Sequence, residues 1–220
     1  MSATMTEKTQ TLAVDEQPSF TPTKVFFINS SSGDFSDELH VLDLTSNVTL
    51  SPCSSTSPIP DSLRDEVERA ATKQKNDRSA WSFELTRGTF SSTMEFHDAS
   101  AGGAVAAELD MPVLKHYSVW KVRFPEGSPH SSHDVEVRPV SIWKKQETFV
   151  KDSVPYLWDM SMGGKGGVLY KTVEFEKRVP VAQFVAKNWF KNCCVLVLDD
   201  RQLDAVVALS TCVAVLNRDI

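Results

Sequence analysis

Residues Val195–Ile220 read VLVLDDRQLDAVVALSTCVAVLNRDI. A short apolar run stops at Asp199 and Asp200, and a second apolar segment continues almost to the end of the chain. Between Leu203 and Leu216 the clearly polar side chains are Asp204, Ser210 and Thr211. A surface helix carries a polar stripe, whereas a helix apolar on nearly all sides has to be enclosed by a core or a membrane. Val206, Val207, Val213 and Val215 are β-branched and lower the intrinsic helicity, so burial has to offset that loss. About fourteen residues at ~1.5 Å each make a rod of ~21 Å, long enough to thread a small barrel. The stretch therefore predicts a central helix over residues 200–217. Asp199 or Asp200 is the expected cap, with Gln202 three residues after Asp199 as in a capping box.

Upstream of this helix lie about ten short segments of strand character, with few helices between them. KVFFIN at Lys24–Asn29 is the first dense apolar run, and LHVLDL at Leu39–Leu44 and the triplet Val48–Leu50 follow it. From Trp81 the period becomes two: Trp81, Phe83 and Leu85 alternate with Ser82, Glu84 and Thr86, so one face is buried. HYSVWKVRF, ending at Phe124, alternates likewise, as does Val135–Trp143, where Pro139 signals an edge or a bulge. Thr148–Phe149, Val154–Trp158, Val168–Phe175, Val179–Ala186 and Cys193–Leu198 complete the series. Such a succession predicts a mainly β fold, an antiparallel sandwich or barrel, around the C-terminal helix. Residues 61–77, DSLRDEVERAATKQKND, predict one further helix. Acids open it, lysines close it, and Leu63, Val67 and Ala70 or Ala71 give it only a thin apolar stripe, which suits a surface helix. Residues 1–22 lack apolar periodicity and read as a disordered tail, leaving 23–220 as a single domain.

The formal net charge is -6 over 220 residues, which argues against nucleic acid as a partner. Its distribution is uneven. Residues 1–114 hold 17 acids and 8 bases, residues 115–191 hold 13 bases and 8 acids, and residues 192–220 hold 4 acids and 2 bases. The basic middle section could meet an anionic partner. The cysteines Cys53, Cys193, Cys194 and Cys212 form no C-x-x-C pair and have no histidine close in sequence, so no metal site is expected. Cys212 lies in the apolar helix and behaves as a small hydrophobe. This usage suits a reducing compartment. MSATMTEKTQ has no apolar h-region and no segment reaches the ~18 apolar residues of a span, so the expected location is cytoplasmic or peripheral to a membrane.

Four stretches carry a resemblance: YLWD at Tyr156–Asp159, GGVLYKT at Gly166–Thr172, PVAQFVAKNWF at Pro180–Phe190 and the apolar ending at Val195–Arg218. The chain resembles the tubby C-terminal-like superfamily, which includes tubby domains, the LURP-one-related proteins and the phospholipid scramblases, and it is similar to fungal domains of that group. The resemblance implies a twelve-stranded barrel enclosing a hydrophobic helix. It covers about residues 81–220, or from Lys24 at its widest, with carriers that are apolar spacings and not invariant chemistry. Neither a cysteine-rich cluster nor a proline-rich arm of the scramblase kind is present, and no basic lipid-binding position of the tubby domains transfers.

No catalytic constellation stands out. GGKGG at Gly163–Gly167 lacks phosphate-loop spacing and opens no helix, so it reads as a hairpin turn. His116, His130, His133 and Asp134 have no partner set that defines a metal site, and Ser-rich stretches show no G-x-S-x-G elbow. Trp81, Trp120, Trp143, Trp158 and Trp189 are expected in the core or at its rim. No catalytic residue, metal or cofactor is therefore expected. If the strands of the basic section are neighbours, Lys144, Lys145, Lys151, Lys165, Lys171, Lys177, Arg178, Lys187 and Lys191 would form a groove for a phosphoinositide or another anionic headgroup. The expected function is a non-enzymatic binding or scaffold module at anionic membrane surfaces. The alternatives are a protein-interaction or stress-related domain that does not touch lipid and, with least support, an enzyme.

Overall fold

A computed structural model describes residues 19–30, 38–74, 81–87, 91–112, 118–141, 143–161, 166–173, 177–187 and 193–218. Twelve antiparallel strands close into a barrel around a C-terminal helix. They are β2 (Lys24–Ser30), β3 (Leu39–Asp43), β5 (Trp81–Arg87), β6 (Ser91–Asp98), β7 (Ala104–Pro112), β8 (Trp120–Arg123), β9 (Val135–Ser141), β10 (Lys144–Lys151), β11 (Val154–Asp159), β12 (Gly166–Val173), β13 (Lys177–Lys187) and β14 (Cys193–Leu198). Each pairs with the next in this order, and β14 returns to β2, with Val195 opposite Phe27 and Val197 opposite Val25. An up-and-down barrel of this kind leaves no sheet edge.

Outside it, β1 (Ser19–Phe20) pairs with β4 (Cys53–Ser54), and helix α1 (Asp61–Lys73) lies in the connection between β3 and β5. Ser19 and Phe20, expected in a disordered tail, instead form a strand with Phe20 buried, and residues 1–18 of that expectation lie outside the described residues.

Helix α2 (Ala205–Arg218) fills the interior, and every residue from Val206 to Arg218 is buried. The wall contributes Phe26, Ile28, Phe83, Phe96, Trp120, Phe149, Trp158 and Leu196, which pack with Val207, Leu209, Val213 and Leu216 in one core. Burying a Val or Leu side chain contributes roughly 1.5–3 kcal/mol. The helix-propensity deficit of a valine is below ~0.7 kcal/mol, so enclosure decides the conformation. Of its buried polar side chains, Thr211, Asn217 and Arg218 are bonded, whereas Ser210 Oγ has no hydrogen-bond partner among the described residues. Thr211 Oγ1 accepts from Trp158 Nε1 at 3.2 Å and donates to the Val207 carbonyl at 2.9 Å. Asn217 Nδ2 donates to the Val213 carbonyl at 3.0 Å. Arg218, in the last turn where a cation complements the helix dipole, donates from Nη1 to Glu147 Oε2 at 2.6 Å and from Nη2 to the Val137 carbonyl at 3.3 Å. Its guanidinium carbon lies 5.4 Å from the Trp120 ring centroid.

Pro112 ends β7 and Pro155 is the second residue of β11, while the two prolines deeper inside strands, Pro139 and Pro180, both sit at register shifts. Pro139 faces Glu147 where the β9–β10 register changes, and Pro180 faces Tyr170 where the β12–β13 register changes. A missing N–H is tolerated where the ladder is already broken, so Pro139 marks a bulge and not an edge. In GGKGG, residues 163–165 fall outside the described residues, while Gly166 and Gly167 already belong to β12. A Cβ on Gly167 would lie 2.7 Å from Phe184 Cε1, so the glycine there permits close packing as well as any turn.

A second, smaller core lies outside the barrel. Leu63, Val67, Ala70 and Ala71 of α1 pack with Val25, Val195 and Val197 on the outer face of β2 and β14. The thin stripe read from the sequence is therefore sufficient to cover one wall.

Candidate functional site

The helix gives the barrel two distinguishable rims. The entry rim, at the N-terminus of α2, is closed by polar bonds. Asp204 is the N-cap: its Oδ1 accepts from the backbone N–H groups of Val206 at 2.8 Å and Val207 at 3.2 Å. Its Oδ2 meets His130 Nδ1, from the β8–β9 connection, at 3.1 Å. Tyr156 donates its hydroxyl to the Gln202 carbonyl at 3.0 Å, and Lys171 Nζ donates to Gln202 Oε1 at 3.1 Å. The cap expected at Asp199 or Asp200 is thus displaced to Asp204. Asp199 binds the Arg201 guanidinium at 2.7 and 3.0 Å, Asp200 exchanges hydrogen bonds with Thr23, and the intervening turn delays the helix to Ala205. Burial pushes the Tyr156 phenol up, and the Asp152 charge adds to the effect. Asp152 itself, hydrogen-bonded by the Lys151 ammonium, lies below the usual carboxylate range.

The exit rim, at the C-terminus of α2, is different. The β9–β10 turn carries Trp143, which is 89% exposed, directly before Lys144 and Lys145, both exposed. The turn is held by the Trp143 N–H donating to Ser141 Oγ at 3.1 Å and by Met160 N–H donating to the Lys145 carbonyl at 2.9 Å. The nearby carboxylate, Asp159, is already occupied. It accepts from Gln146 Nε2 at 2.9 Å and from the Ser161 N–H at 2.9 Å. Partial burial opposes its ionisation, but the bonds from Ser161 and Gln146 and the Arg178 charge outweigh that and hold the carboxyl below its ordinary range. Among the described residues, no carboxylate pairs with Lys144 or Lys145.

β10 to β13 are consecutive neighbours, but their basic residues divide between the rims. Lys144 and Lys145 lie at the exit rim, and Lys187 ends β13 there, opposite Cys193. Lys151, Lys171 and Lys177 lie toward the entry rim, and Arg178, opposite Thr172, also bears electrostatically on Asp159. Lys145 and Lys151 are six positions apart, ~20 Å along the strand. Lys151 is buried against Asp152 and Lys171 is engaged by Gln202, whereas Lys177 and Arg178 are exposed. Lys165 and Lys191 lie outside the described residues, as does the side chain of Lys187. The described members of this set therefore divide along the strands toward the two rims.

His130 serves the helix cap. His133 Nδ1 lies 3.3 Å from Ser132 Oγ and 3.9 Å from Asp152 Oδ1, and His116 is outside the described residues. Among the described residues, no group of three or more His, Cys, Asp or Glu side chains is arranged to hold a metal ion. No described helix is long and apolar enough to cross a membrane. Trp120 and Trp158 are in the core, Trp143 is at the rim, and Trp189 lies outside the described residues.

The outer wall is also electrically uneven. Across β5, β6, β7 and β8, Glu84 faces Glu95, Glu95 faces Glu108, and Glu108 faces Arg123. His97 Nε2 sits 3.3 Å from Glu95 and 4.0 Å from Glu84. This acidic row lies on strands remote from β10 in the barrel order. The exposure of Trp143 is what sequence reasoning missed. The available signal was a tryptophan followed by two lysines at the end of a strand.

No family model, curated protein or solved structure matches the chain.

Proposed function

We propose that this barrel is a non-enzymatic, tubby-like binding module that docks on anionic membrane surfaces through the exit rim, with phosphoinositide or another anionic lipid headgroup as its ligand. The observation that carries the reading is Trp143, 89% exposed, beside the exposed Lys144 and Lys145. An indole with its ring apolar and its N–H polar suits the headgroup region of a bilayer. Each lysine near an anionic surface adds ~1 kcal/mol of attraction. The interior is filled by α2, so a ligand has to bind outside. The acidic row on β5–β7 is repelled by the same surface, which would orient the barrel rim-first. A cytoplasmic, peripheral location follows from this reading.

Sedimentation with vesicles tests it. Binding to vesicles containing phosphatidylserine or phosphoinositide, absent with phosphatidylcholine alone and lost in the K144E/K145E variant, is the expected result. Equal binding to both vesicle types, or to neither, rejects it. A protein-interaction role is the second reading, favoured by Val140 and Val150, 46% and 51% exposed on the β9–β10 wall. In that case their replacement by serine would abolish partner binding while leaving vesicles unaffected. An enzymatic role has no such observation in its favour.

A further inference from the structure

We propose that Ser141 is a phosphorylation site whose phosphate switches off the exit rim. The effect on docking rests on the function proposed above; the modification itself does not. Residues 138–145 read RPVSIWKK, which places Arg138 three positions before Ser141 and the apolar Ile142 directly after it. Arginine-directed protein kinases read that spacing with carboxylates that grip the guanidinium while the substrate chain lies extended. The pattern Arg-x-x-Ser/Thr occurs twice in the chain, at Arg69–Thr72 and at Arg138–Ser141. The first lies inside α1, where Thr72 Oγ1 donates to the Glu68 carbonyl at 2.8 Å, so its backbone is helical. The second is extended, as the end of β9. β8 begins at Trp120, opposite Val137, so among the described residues Arg138–Ser141 runs past β8 with β10 as its one ladder partner. Val140 is 46% exposed there, and the Arg138 side chain, which meets Glu136, is 58% exposed. The arginine and the serine thus share an extended segment at the open end of a hairpin, within reach of an enzyme.

The same geometry gives the phosphate its effect. Ser141 faces Lys144 in the β9–β10 register, and its Oγ accepts from the Trp143 N–H at 3.1 Å. The serine is therefore joined to the backbone of the exposed indole and set opposite the first exposed lysine. In the modification, the Ser141 hydroxyl oxygen attacks the γ-phosphorus of ATP and its proton passes to the kinase's catalytic carboxylate. The bond from that phosphorus to the bridging oxygen breaks, and ADP leaves. The product carries about -1.5 to -2 charges at neutral pH. Lys144 and Lys145 together supply two positive charges, so the tip passes from cationic to nearly neutral, with Lys144 placed to pair with the phosphate. An anionic bilayer then loses its hold on the tip, as it does when phosphorylation releases other basic membrane anchors.

The full chain, treated with ATP, magnesium and the catalytic subunit of cyclic-AMP-dependent protein kinase, an arginine-directed enzyme, should take up phosphate at Ser141, mapped by fragmentation of the modified peptide. T72A should take it up equally, and S141A should not. The phosphorylated chain should then bind phosphatidylserine vesicles roughly 30-fold more weakly than the unmodified chain, the factor to which two lysine attractions of ~1 kcal/mol each convert. Phosphatase should restore binding, and kinase treatment of S141A should leave its binding where it was. No incorporation at Ser141, or incorporation only elsewhere, overturns the site. Full modification with unchanged vesicle binding overturns the switch and leaves the docking reading standing. No vesicle binding by the unmodified chain refutes that reading and the switch together.

Discussion

Two walls of the same barrel differ in what covers them. On the β14–β2 wall all six residues of CCVLVL are buried, because α2 fills the inner side and α1 with the β1–β4 pair covers the outer side. On the β9–β10 wall only the inner side is covered. Val135, Val137 and Phe149 face the core, while Val140 and Val150 remain half exposed. The strands are alike, and the chain inserted between β3 and β5 makes the difference. The sequences carry its imprint: a doubly covered strand reads as a continuous apolar run, whereas a singly covered one alternates. The wall left open is also the one that ends in Trp143, Lys144 and Lys145.

The comparison can be broken by substitution. The largest effect is expected inside the open wall, at the one ion pair between wall and plug described here. Glu147→Ala strands a buried Arg218 and should cost about 3–5 kcal/mol, whereas a joint change of Glu147 and Arg218 to Leu and Met should recover most of that loss. Urea denaturation of the single and double variants measures both. If the single change were silent, the pair would not hold the end of the helix.

Leucine truncation then ranks the two cores. Leu209→Ala, inside the barrel, should fall near the upper end of the ~2–5 kcal/mol range, and Leu63→Ala, in the outer core, near its lower end. Reversed order in the denaturation midpoints would mean that α1 and not α2 supplies the main core. Acid sharpens the picture on the wall surface. Asp159 and Asp98 both lie below the ordinary carboxylate range; at Asp98 burial opposes this and the hydrogen bonds of Ser100 outweigh it. A depressed folded-state pKa contributes stability that is present above the unfolded value, near ~3.9, and lost as the pH falls through the folded value. The urea midpoint should therefore decline below about pH 4, and less steeply in Asp159→Asn. The smallest stability effect is expected at the open wall's rim. Trp143→Ala should change stability by no more than ~0.5 kcal/mol, yet remove binding to anionic vesicles.

How far this was legible from residues alone follows the same division. Helix α2 was readable because thirteen consecutive buried positions leave no room for a polar stripe. The strands were readable through their alternation, which left sandwich and barrel both open; the closed twelve-stranded barrel was what the resemblance implied. The rim on which a lysine sits was not readable, since alternation reports the face of a strand and not its end. Lys145 and Lys151 have the same parity and stand at opposite rims. The cap at Asp204 was missed because three aspartates at Asp199, Asp200 and Asp204 are equally good caps locally. Only the hydrogen bond from Asp199 N–H, just past β14, to the Val181 carbonyl of β13 shows that the first is still tied to the wall. Likewise the stripe of Leu63, Val67, Ala70 and Ala71 identified a helix face, but not the strands it would cover.

Hydrogen exchange along the chain is the most direct measurement of the enclosed helix. Amides from Leu209 to Leu216 should exchange only with global unfolding and share the slowest rate of the molecule, with those of α1 exchanging earlier through local opening. Fast exchange of Leu209–Leu216, at rates like those of α1, would contradict the account.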